Sequence, residues 1–241
     1  MNRLLLILFL FASLGSQAQD KFKDKFFIGF VSSYYIDFVS SPLSLIDVSR
    51  MIDDGAGGFI QTTDTAVPFQ SRFLSFVSIG VEPRYNLLEF EDNMALALAM
   101  PATIGLGQSF EQNDDVLGAR GFGNFQVPLM LKFYLGTNAT YRSTDNFGFS
   151  AGAGFELNKV ALVSTDDIQA IKDANKAWIM PVFSASLHFW RGNSPIEINF
   201  KYGRGELRSY NTNYTGFPLQ DGERFTRANS IKLSFIYLLN Y

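Results

Sequence analysis

Cysteine is absent from the sequence, and histidine occurs once among its 241 residues. The first absence excludes a disulfide framework and a lipid-attachment cysteine, and together the two leave a zinc site almost without ligands. Charge is also scarce, at 18%, with a formal net charge of −3 at pH 7. A mildly acidic chain is a poor partner for nucleic acid. We therefore predict no metal site, no cofactor and no nucleic-acid partner.

Long apolar runs are confined to the first residues. An apolar core over 4–14 follows Arg3, and Ser16-Gln17-Ala18 has the small-x-small form of a cleavage site. This order predicts a secretory signal peptide over 1–18 and an exported domain over 19–241. Its removal takes away one positive charge and no acid, so the formal charge goes from −3 to −4. After residue 18, no apolar run reaches the roughly 20 residues of a transmembrane helix.

Aromatic residues and glycine are abundant instead, with 25 Phe, 10 Tyr, 2 Trp and 20 Gly. Together with the export signal and the lack of a spanning run, this composition leaves two fold classes. One is a soluble all-β protein, and the other is a transmembrane β-barrel.

Apolar residues alternate with polar or small ones in the stretch 125–135. Every odd position is large and apolar, whereas the even positions are Gln126, Pro128, Met130, Lys132 and Tyr134. Since neighbouring residues of a strand point to opposite faces, this pattern predicts one lipid-facing and one inward side. Seven further segments alternate in the same way: 26–38, 72–87, 94–106, 147–158, 179–190, 196–203 and 231–241. We predict a closed, antiparallel, up-and-down barrel of eight strands, because an even count lets the last strand pair with the first.

The connections between these segments alternate in length. Three are short, near 88–93, 136–146 and 191–195, and four are long, near 40–70, 108–122, 164–177 and 204–226. This pattern is typical of outer-membrane barrels, in which the short turns and both termini are periplasmic and the long loops lie outside. The alternative is a ten-stranded barrel, with a further hairpin formed by part of 40–70.

The inward parity carries charges of both signs: Asp37, Arg72, Glu82, Arg84, Lys132, Glu156, His188, Glu197, Lys201 and Lys232. A soluble, lipocalin-like barrel would instead place a charged parity in water. The inward-facing positions of the predicted strands carry few charges in proportion and many Gly, Ala and Ser residues. This composition favours the crowded interior of a narrow membrane barrel. Because eight strands leave room only for side chains, we favour a structural polar network over an ion path. Phe73 is predicted on the lipid-facing parity.

Two inward-facing residues, His188 and Pro128, have specific structural implications. His188 shares its face with Ser184 and Ser186, so a Ser-His-acid set with Glu82 or Glu156 is conceivable. That spacing is what alternation alone produces, and we interpret His188 as a packed, hydrogen-bonded residue of a protein that is not an enzyme. Pro128 has no backbone N–H to donate to a neighbouring strand, although its own strand should be hydrogen-bonded on both sides. This predicts a β-bulge at Pro128.

Two long connections have distinctive compositions. The third is predicted to hold a short helix capped by Thr165 or Asp166. The fourth is basic and aromatic, and its arginines are candidates for contact with lipopolysaccharide phosphate: Arg204, Arg208, Arg224 and Arg227.

Several stretches resemble a known family. The segments 80–87, 125–136, 149–154 and 231–241 are similar to the small outer-membrane β-barrel proteins of Bacteroidota-type bacteria, the PorT-like and opacity-antigen-like group. The resemblance implies an outer-membrane barrel of a Gram-negative bacterium. The triplet Asp64-Thr65-Ala66 also resembles the O-glycosylation signal of those bacteria, with Thr65 as acceptor. The alternating end of the chain is similar to the signal read by the barrel-assembly machinery: Phe235, Tyr237, Leu239 and Tyr241.

A functional prediction follows from the fold class more than from any motif. We expect a structural or surface-interaction role, presented by the outer loops, with a filled lumen. The expected partners are outer-membrane lipid, lipopolysaccharide, the barrel-assembly machinery and an envelope protein. The alternatives are a component of an envelope secretion or transport machine, as the PorT resemblance implies, and a lipid-modifying barrel enzyme.

Overall fold

The computed structural model describes residues 24–34, 37–110, 117–210 and 224–239. The predicted signal peptide over 1–18 and the terminal Tyr241 lie outside these residues. The elements, in chain order, are β1 (Phe26–Tyr34), β2 (Asp37–Ser40), β3 (Ser44–Asp53), β4 (Phe59–Phe69), β5 (Arg72–Phe90), β6 (Met94–Ala99), β7 (Ala102–Phe110), β8 (Gly121–Gly136), β9 (Phe147–Ser164), α1 (Gln169–Ala174), β10 (Trp178–Arg191), β11 (Ser194–Tyr210) and β12 (Arg224–Leu238).

Ten of these strands form one antiparallel sheet that closes on itself. β1 and β2 are two halves of the first wall strand, since both pair with β12 on one side and with β5 on the other. β6 and β7 likewise divide the third wall strand, between β5 and β8. The remaining neighbours follow in chain order from β8 to β12. The ring therefore has eight wall strands, and the predicted fold class is confirmed.

The connections divide the barrel into two ends. The connections 91–93, 137–146 and 192–193 lie at the same end as residues 24 and 239, and we call this the short-turn end. The strand ends that flank the four long connections lie at the other end, which we call the long-loop end.

The first long connection contains a hairpin of its own. β3 and β4 pair with each other in a separate two-stranded sheet, while β2 pairs directly with β5. The ten-strand alternative is therefore wrong, because the hairpin forms without entering the wall. The triplet Asp64-Thr65-Ala66 lies in β4, where the pairing with β3 is irregular opposite Asp47.

Side-chain burial follows the predicted alternation along β8. Its even residues from Gln126 to Tyr134 are buried, whereas its odd residues from Leu129 to Leu135 are exposed. Pro128 does not form the predicted bulge, because β8 keeps one register with β9 across it. The neighbouring third wall strand is interrupted at Met100 and Pro101, beside Pro128. A residue without an N–H is tolerated where the ladder is already broken.

The outer part of β5 departs from the predicted alternation. Its register against β7 shifts between Ser75 and Val77, and the extra residue reverses the parity on the loop side of the bulge. Phe73 is therefore fully buried inside the barrel, and Arg72 lies on the outward parity with the exposed Leu74. The predicted orientations of Phe73 and Arg72 were both wrong for this reason.

The helix α1 lies in the third long connection, as predicted, but it begins differently. Its N-cap is Ile168, which makes no side-chain capping bond, rather than Thr165 or Asp166. Asp166 instead accepts the backbone N–H of Arg120 at 2.9 Å. The helix contributes to an apolar cluster that joins the loops at this end: Phe69, Ala119, Ala161 and Ile171.

Three residues of the predicted assembly signal lie in or beside β12. Phe235 and Tyr237 pair with β1, and the N–H of Leu239 donates to the Ile28 carbonyl at 2.8 Å. The terminal strand thus closes the barrel. Reading of this segment by the assembly machinery stays a prediction.

Cross-linking tests the eight-stranded ring directly. Phe38 and Leu74 are cross-strand partners on the outward face of β2 and β5. In the double variant Phe38→Cys with Leu74→Cys, the Cα atoms lie about 5 Å apart, and we expect a disulfide on mild oxidation. A hairpin inserted between these strands would separate the two positions by roughly 14 Å and prevent the bond.

The control is Phe38→Cys with Phe200→Cys, which places the second thiol on the outward face of β11. This pair must remain reduced under the same oxidation. Gel migration before and after reduction measures both, and a non-bonded first pair would contradict the ring.

Candidate functional site

The barrel interior is the candidate site, because it gathers nearly all the predicted polar residues. All of those residues except Arg72 are at most 5% exposed: Asp37, Glu82, Arg84, Lys132, Glu156, His188, Glu197, Lys201 and Lys232. They lie in two clusters at different heights along the barrel.

The first cluster lies toward the short-turn end and has an ion pair at its centre. We call it the Lys132 cluster: Glu82, Arg84, Lys132, Tyr134, His188 and Glu197. Lys132 Nζ lies 2.5 Å from Glu197 Oε1, and both side chains are at most 1% exposed. Asn199 also donates to Glu197 Oε1, at 3.3 Å, and the Tyr134 hydroxyl donates to Glu82 Oε1 at 3.3 Å. Such buried charges require partners of this kind, because an unpaired one would be very costly.

Arg84 is held by aromatic faces as well as by hydrogen bonds. Its guanidinium carbon lies 3.9 Å from the ring centroid of Phe27 and 4.2 Å from that of Tyr134. Its Nη2 donates to the Asn138 carbonyl at 2.8 Å. A planar guanidinium suits such a place because it can stack and donate at once.

His188 bridges the cluster and the adjoining turn. Its Nδ1 lies 3.1 Å from the Thr137 carbonyl, which can only accept, so this nitrogen carries a proton. Its Nε2 lies 3.0 Å from the Ser150 hydroxyl and 3.8 Å from Glu197 Oε2. The hydroxyl near His188 is therefore that of Ser150, not of Ser184 or Ser186.

This arrangement differs from a hydrolytic triad. In a triad the acid orients the histidine through Nδ1, while the serine lies at Nε2. Here the acid Glu197 and Ser150 approach the same nitrogen, and a backbone carbonyl takes the other. All three side chains are at most 1% exposed, so a substrate has no approach to them. The geometry is that of a packed histidine.

The connection 137–146 forms the floor of this cluster. Thr137, Asn138 and Ala139 are fully buried, so the turn folds into the barrel mouth and is not an exposed loop. Its backbone accepts hydrogen bonds from Arg84 and His188, and Tyr141 stacks on Phe27 with centroids 4.2 Å apart. Connection length alone predicted only a short turn over 136–146.

The second cluster lies toward the long-loop end and is organised by an amide. We call it the Gln126 cluster: Asp37, Thr103, Gln126, Glu156, Lys201 and Lys232. Lys232 Nζ donates to Thr103 Oγ1 at 2.7 Å and to Gln126 Oε1 at 2.9 Å, and lies 3.3 Å from Asp37 Oδ2. Lys201 pairs with Glu156 and donates to Gln126 Oε1 at 3.4 Å. Gln126 was recognised as inward-facing, but its bridging role was not predicted.

Charge is balanced separately in each cluster. By formal count, the Lys132 cluster contains the two acids Glu82 and Glu197 and the two bases Arg84 and Lys132, of which Lys132 and Glu197 form an ion pair. The Gln126 cluster pairs the acids Asp37 and Glu156 with Lys201 and Lys232. A narrow low-dielectric interior tolerates many charges when each group of them is neutral.

Apolar side chains fill the interior around and beyond the Gln126 cluster. A buried set includes Val39, Phe73, Met130, Val160, Trp178, Met180, Val182 and Ala228. Between the clusters a cavity of about 20 Å³, lined by residues that include Met130 and Lys201, has room for about one water molecule. Within the described residues, buried side chains therefore occupy the interior at the levels of both clusters and of this apolar set.

The outer surface of the wall is apolar. Many of its large side chains are exposed, among them Phe76, Leu106, Leu129, Phe155, Ile179 and Leu187. Inward charge and outward apolar surface are the reverse of a water-soluble barrel and characterise a wall in contact with lipid. Within the described ranges, no helix combines the length and apolar character needed to cross a membrane. Those ranges also contain no group of three His, Cys, Asp or Glu side chains placed to hold a metal ion.

Comparisons with known proteins give similar folds at low identity. No family model matches the chain, and no curated protein matches it. Among solved structures, the outer membrane protein OprG from Pseudomonas aeruginosa is 11% identical, over 90% of this chain and 97% of that one, with a TM-score of 0.35. Ail, the attachment invasion locus protein of Yersinia pestis, solved in complex with the heparin analogue sucrose octasulfate, is 12% identical, over 88% and 99%, with a TM-score of 0.34. These overlaps are too loose to carry an argument about function.

A double-mutant cycle on Lys132 and Glu197 tests the buried pair. Lys132→Met or Glu197→Gln alone leaves one charge without its partner, and each should lower the free energy of unfolding by about 3–5 kcal/mol. The double variant should lose less than the sum of the two, because no unpaired charge remains. Urea unfolding, followed by heat-modifiable gel migration, gives the values.

The control cycle uses the exposed pair Arg142 and Asp92, whose side chains approach to 3.8 Å. Arg142→Met and Asp92→Asn should each change the free energy of unfolding by less than about 1 kcal/mol. Additive effects at Lys132 and Glu197 would contradict the assigned pair.

Proposed function

We propose that the protein is an integral outer-membrane β-barrel that does not conduct and that displays a binding hairpin at its long-loop end. The observation that carries this proposal is the combination of a lipid-facing wall, a packed and neutral lumen, and a hairpin outside the wall. Export by the predicted signal peptide and the alternation of loop lengths support the outer membrane as the location. In this orientation the short-turn end is periplasmic.

The hairpin β3–β4 is the element suited to binding. Near its base, Phe69 belongs to the apolar loop cluster and Ile46 packs against that cluster, which fixes the hairpin to the loops. At its tip, four large apolar side chains are 52–71% exposed: Met51, Ile52, Phe59 and Ile60. An anchored element with an apolar tip is a recognised form of protein interaction site.

The turn of the hairpin is ordered by its own carboxylate. The backbone N–H groups of Ala56 and Gly58 each donate to Asp54 Oδ1 at 2.8 Å. These bonds, that from Ala56 first, hold the pKa of Asp54 below its usual range. The turn therefore keeps its charged cap to a lower pH than a free aspartate would, and the two bonds tie the backbone of the turn to Asp54.

We infer a protein of the envelope or of a neighbouring surface as the partner, since apolar side chains on a polar hairpin suit a protein surface. Membership of a PorT-like secretion machine is a narrower form of this proposal, and it rests on the sequence resemblance alone. Identification of the partner distinguishes the general protein-binding proposal from this narrower one.

Site-specific photo-cross-linking in cells tests the binding role. A cross-linker at Ile52 should give a discrete adduct with one protein, and that adduct should disappear when Met51, Phe59 and Ile60 are changed to Ser. The matched control places the cross-linker at the exposed Thr63 of the same hairpin, where no such adduct is expected. No adduct at Ile52, or an adduct unchanged by the Ser variant, would overturn the proposal.

Conductance tests the filled lumen. Because both charged clusters and the floor 137–146 occupy the interior, protein in a planar lipid bilayer should show no stepwise current. Unitary conductance that scales with salt concentration would contradict a packed interior. Heat-modifiable migration of the same preparation confirms that the barrel is folded.

A further inference from the structure

The outer wall near the long-loop end carries two arginines above the apolar surface. We propose that Arg72 and Arg120 bind a phosphate group of an outer-leaflet glycolipid. This inference rests on the proposed membrane location and adds a ligand class and a site to it. The site is on the walls of β5, β7 and β8, far in sequence from the arginines of the fourth loop.

Strand register places the two arginines at one height. Arg72 of β5 is the partner of Phe110 in β7, and Gln108 of β7 is the partner of Phe122 in β8. Arg120 directly precedes β8, and beside it the N–H of Ala119 donates to the Ser71 hydroxyl at 2.9 Å. Because Ala119 and Ser71 are the chain neighbours of the two arginines, Arg72 and Arg120 lie within about two strand spacings, roughly 10 Å, of each other.

Both arginines lie on the outward side. Arg72 shares its parity with the exposed Leu74 and Phe76 because of the bulge at Ser75, and Arg120 is itself exposed. Directly toward the membrane from this level the wall is apolar, with Ile104, Leu106, Phe122 and Val163 each more than half exposed. The arginines thus lie where the apolar surface ends, which is the level of lipid headgroups.

A cleft lies beside Arg120, at the level where the apolar surface ends. It has a volume of about 240 Å³, and its lining includes Gln108, Ser109, Arg120, Phe122 and Thr165. These residues supply a guanidinium, an amide, two hydroxyl groups and an aromatic ring, and Arg72 lies outside the lining. A phosphorylated sugar with acyl chains matches both the polar and the aromatic groups, whereas free phosphate matches only the polar ones.

Among the described residues, Asp166 lies beside the cleft, and its carboxylate already accepts two hydrogen bonds. Asp166 accepts the backbone N–H of Arg120 at 2.9 Å and the Ser164 hydroxyl at 3.0 Å. Arg72 donates to Gln70 Oε1 at 3.3 Å, and both arginines make further contacts within the chain. A guanidinium has five N–H donors in a planar fork, so it can keep such a partner and also bind phosphate.

Binding to phosphorylated lipid A, to dephosphorylated lipid A and to inorganic phosphate tests the site, with the full chain in detergent micelles. Wild type should bind phosphorylated lipid A at least about tenfold more tightly than the dephosphorylated form, as expected for a charge-assisted hydrogen bond. Arg72→Gln with Arg120→Gln should remove that difference. Inorganic phosphate should bind weakly to both proteins and compete poorly.

The matched control is Arg142→Gln with Arg191→Gln, which removes two exposed charges at the short-turn end and should leave the preference intact. Equal wild-type binding of the two lipids, or an equal loss in the control, would overturn the proposal. The wild-type comparison does not depend on any variant folding. Barrel insertion is measured separately, by heat-modifiable migration and vesicle flotation. Failure to insert would contradict the proposed membrane role. Insertion without a preference for phosphorylated lipid would contradict only this site.

Discussion

The ion pair between Lys132 and Glu197 is the interaction on which the interior depends. It joins β8 to β11 across the lumen and lies beside His188, Arg84 and Tyr134, which connect it to the floor 137–146. Because the pair is buried, both partners must be present and correctly placed. A one-residue slip of β8 would turn Lys132 into lipid, at a cost of about 2–4 kcal/mol near the midplane. The pair therefore fixes the register as well as filling the space.

Glycine makes this arrangement possible. Gly152 is the neighbour of Lys132 on β9, and a Cβ there would lie 2.5 Å from Lys132 Cγ. The small inward residues of β9 thus leave volume that the long lysine occupies. The barrel combines large polar side chains on one strand with glycine on the adjacent strand, and in this way a narrow ring holds two clusters of charged groups.

The sequence predicts most of the wall, because a period of two is imposed on each strand by lipid outside and polar groups inside. It also places nine of the ten predicted inward groups correctly by parity. Arg72 and Phe73 were misplaced because one extra residue at Ser75–Val77 reverses the parity, and single residues carry no signal for such a bulge. The floor 137–146 and the bridging of Gln126 depend on contacts between distant segments, which a local pattern does not contain. The break in the third wall strand at Pro101, which explains why Pro128 is tolerated in β8, also depends on a contact between distant segments.

In the proposed function, a closed and neutral interior leaves binding to the surface, at the hairpin tip and at the arginine pair. This division depends on the lumen being filled by paired charge. Solid-state NMR of the protein in lipid bilayers measures that pairing at Lys132 Nζ most directly. We predict a through-space correlation with the Glu197 carboxyl carbon at a distance within about 4 Å, and slow exchange of the ammonium protons with water. A Lys132 ammonium without that correlation, in rapid exchange with water, would show an open lumen and contradict the account.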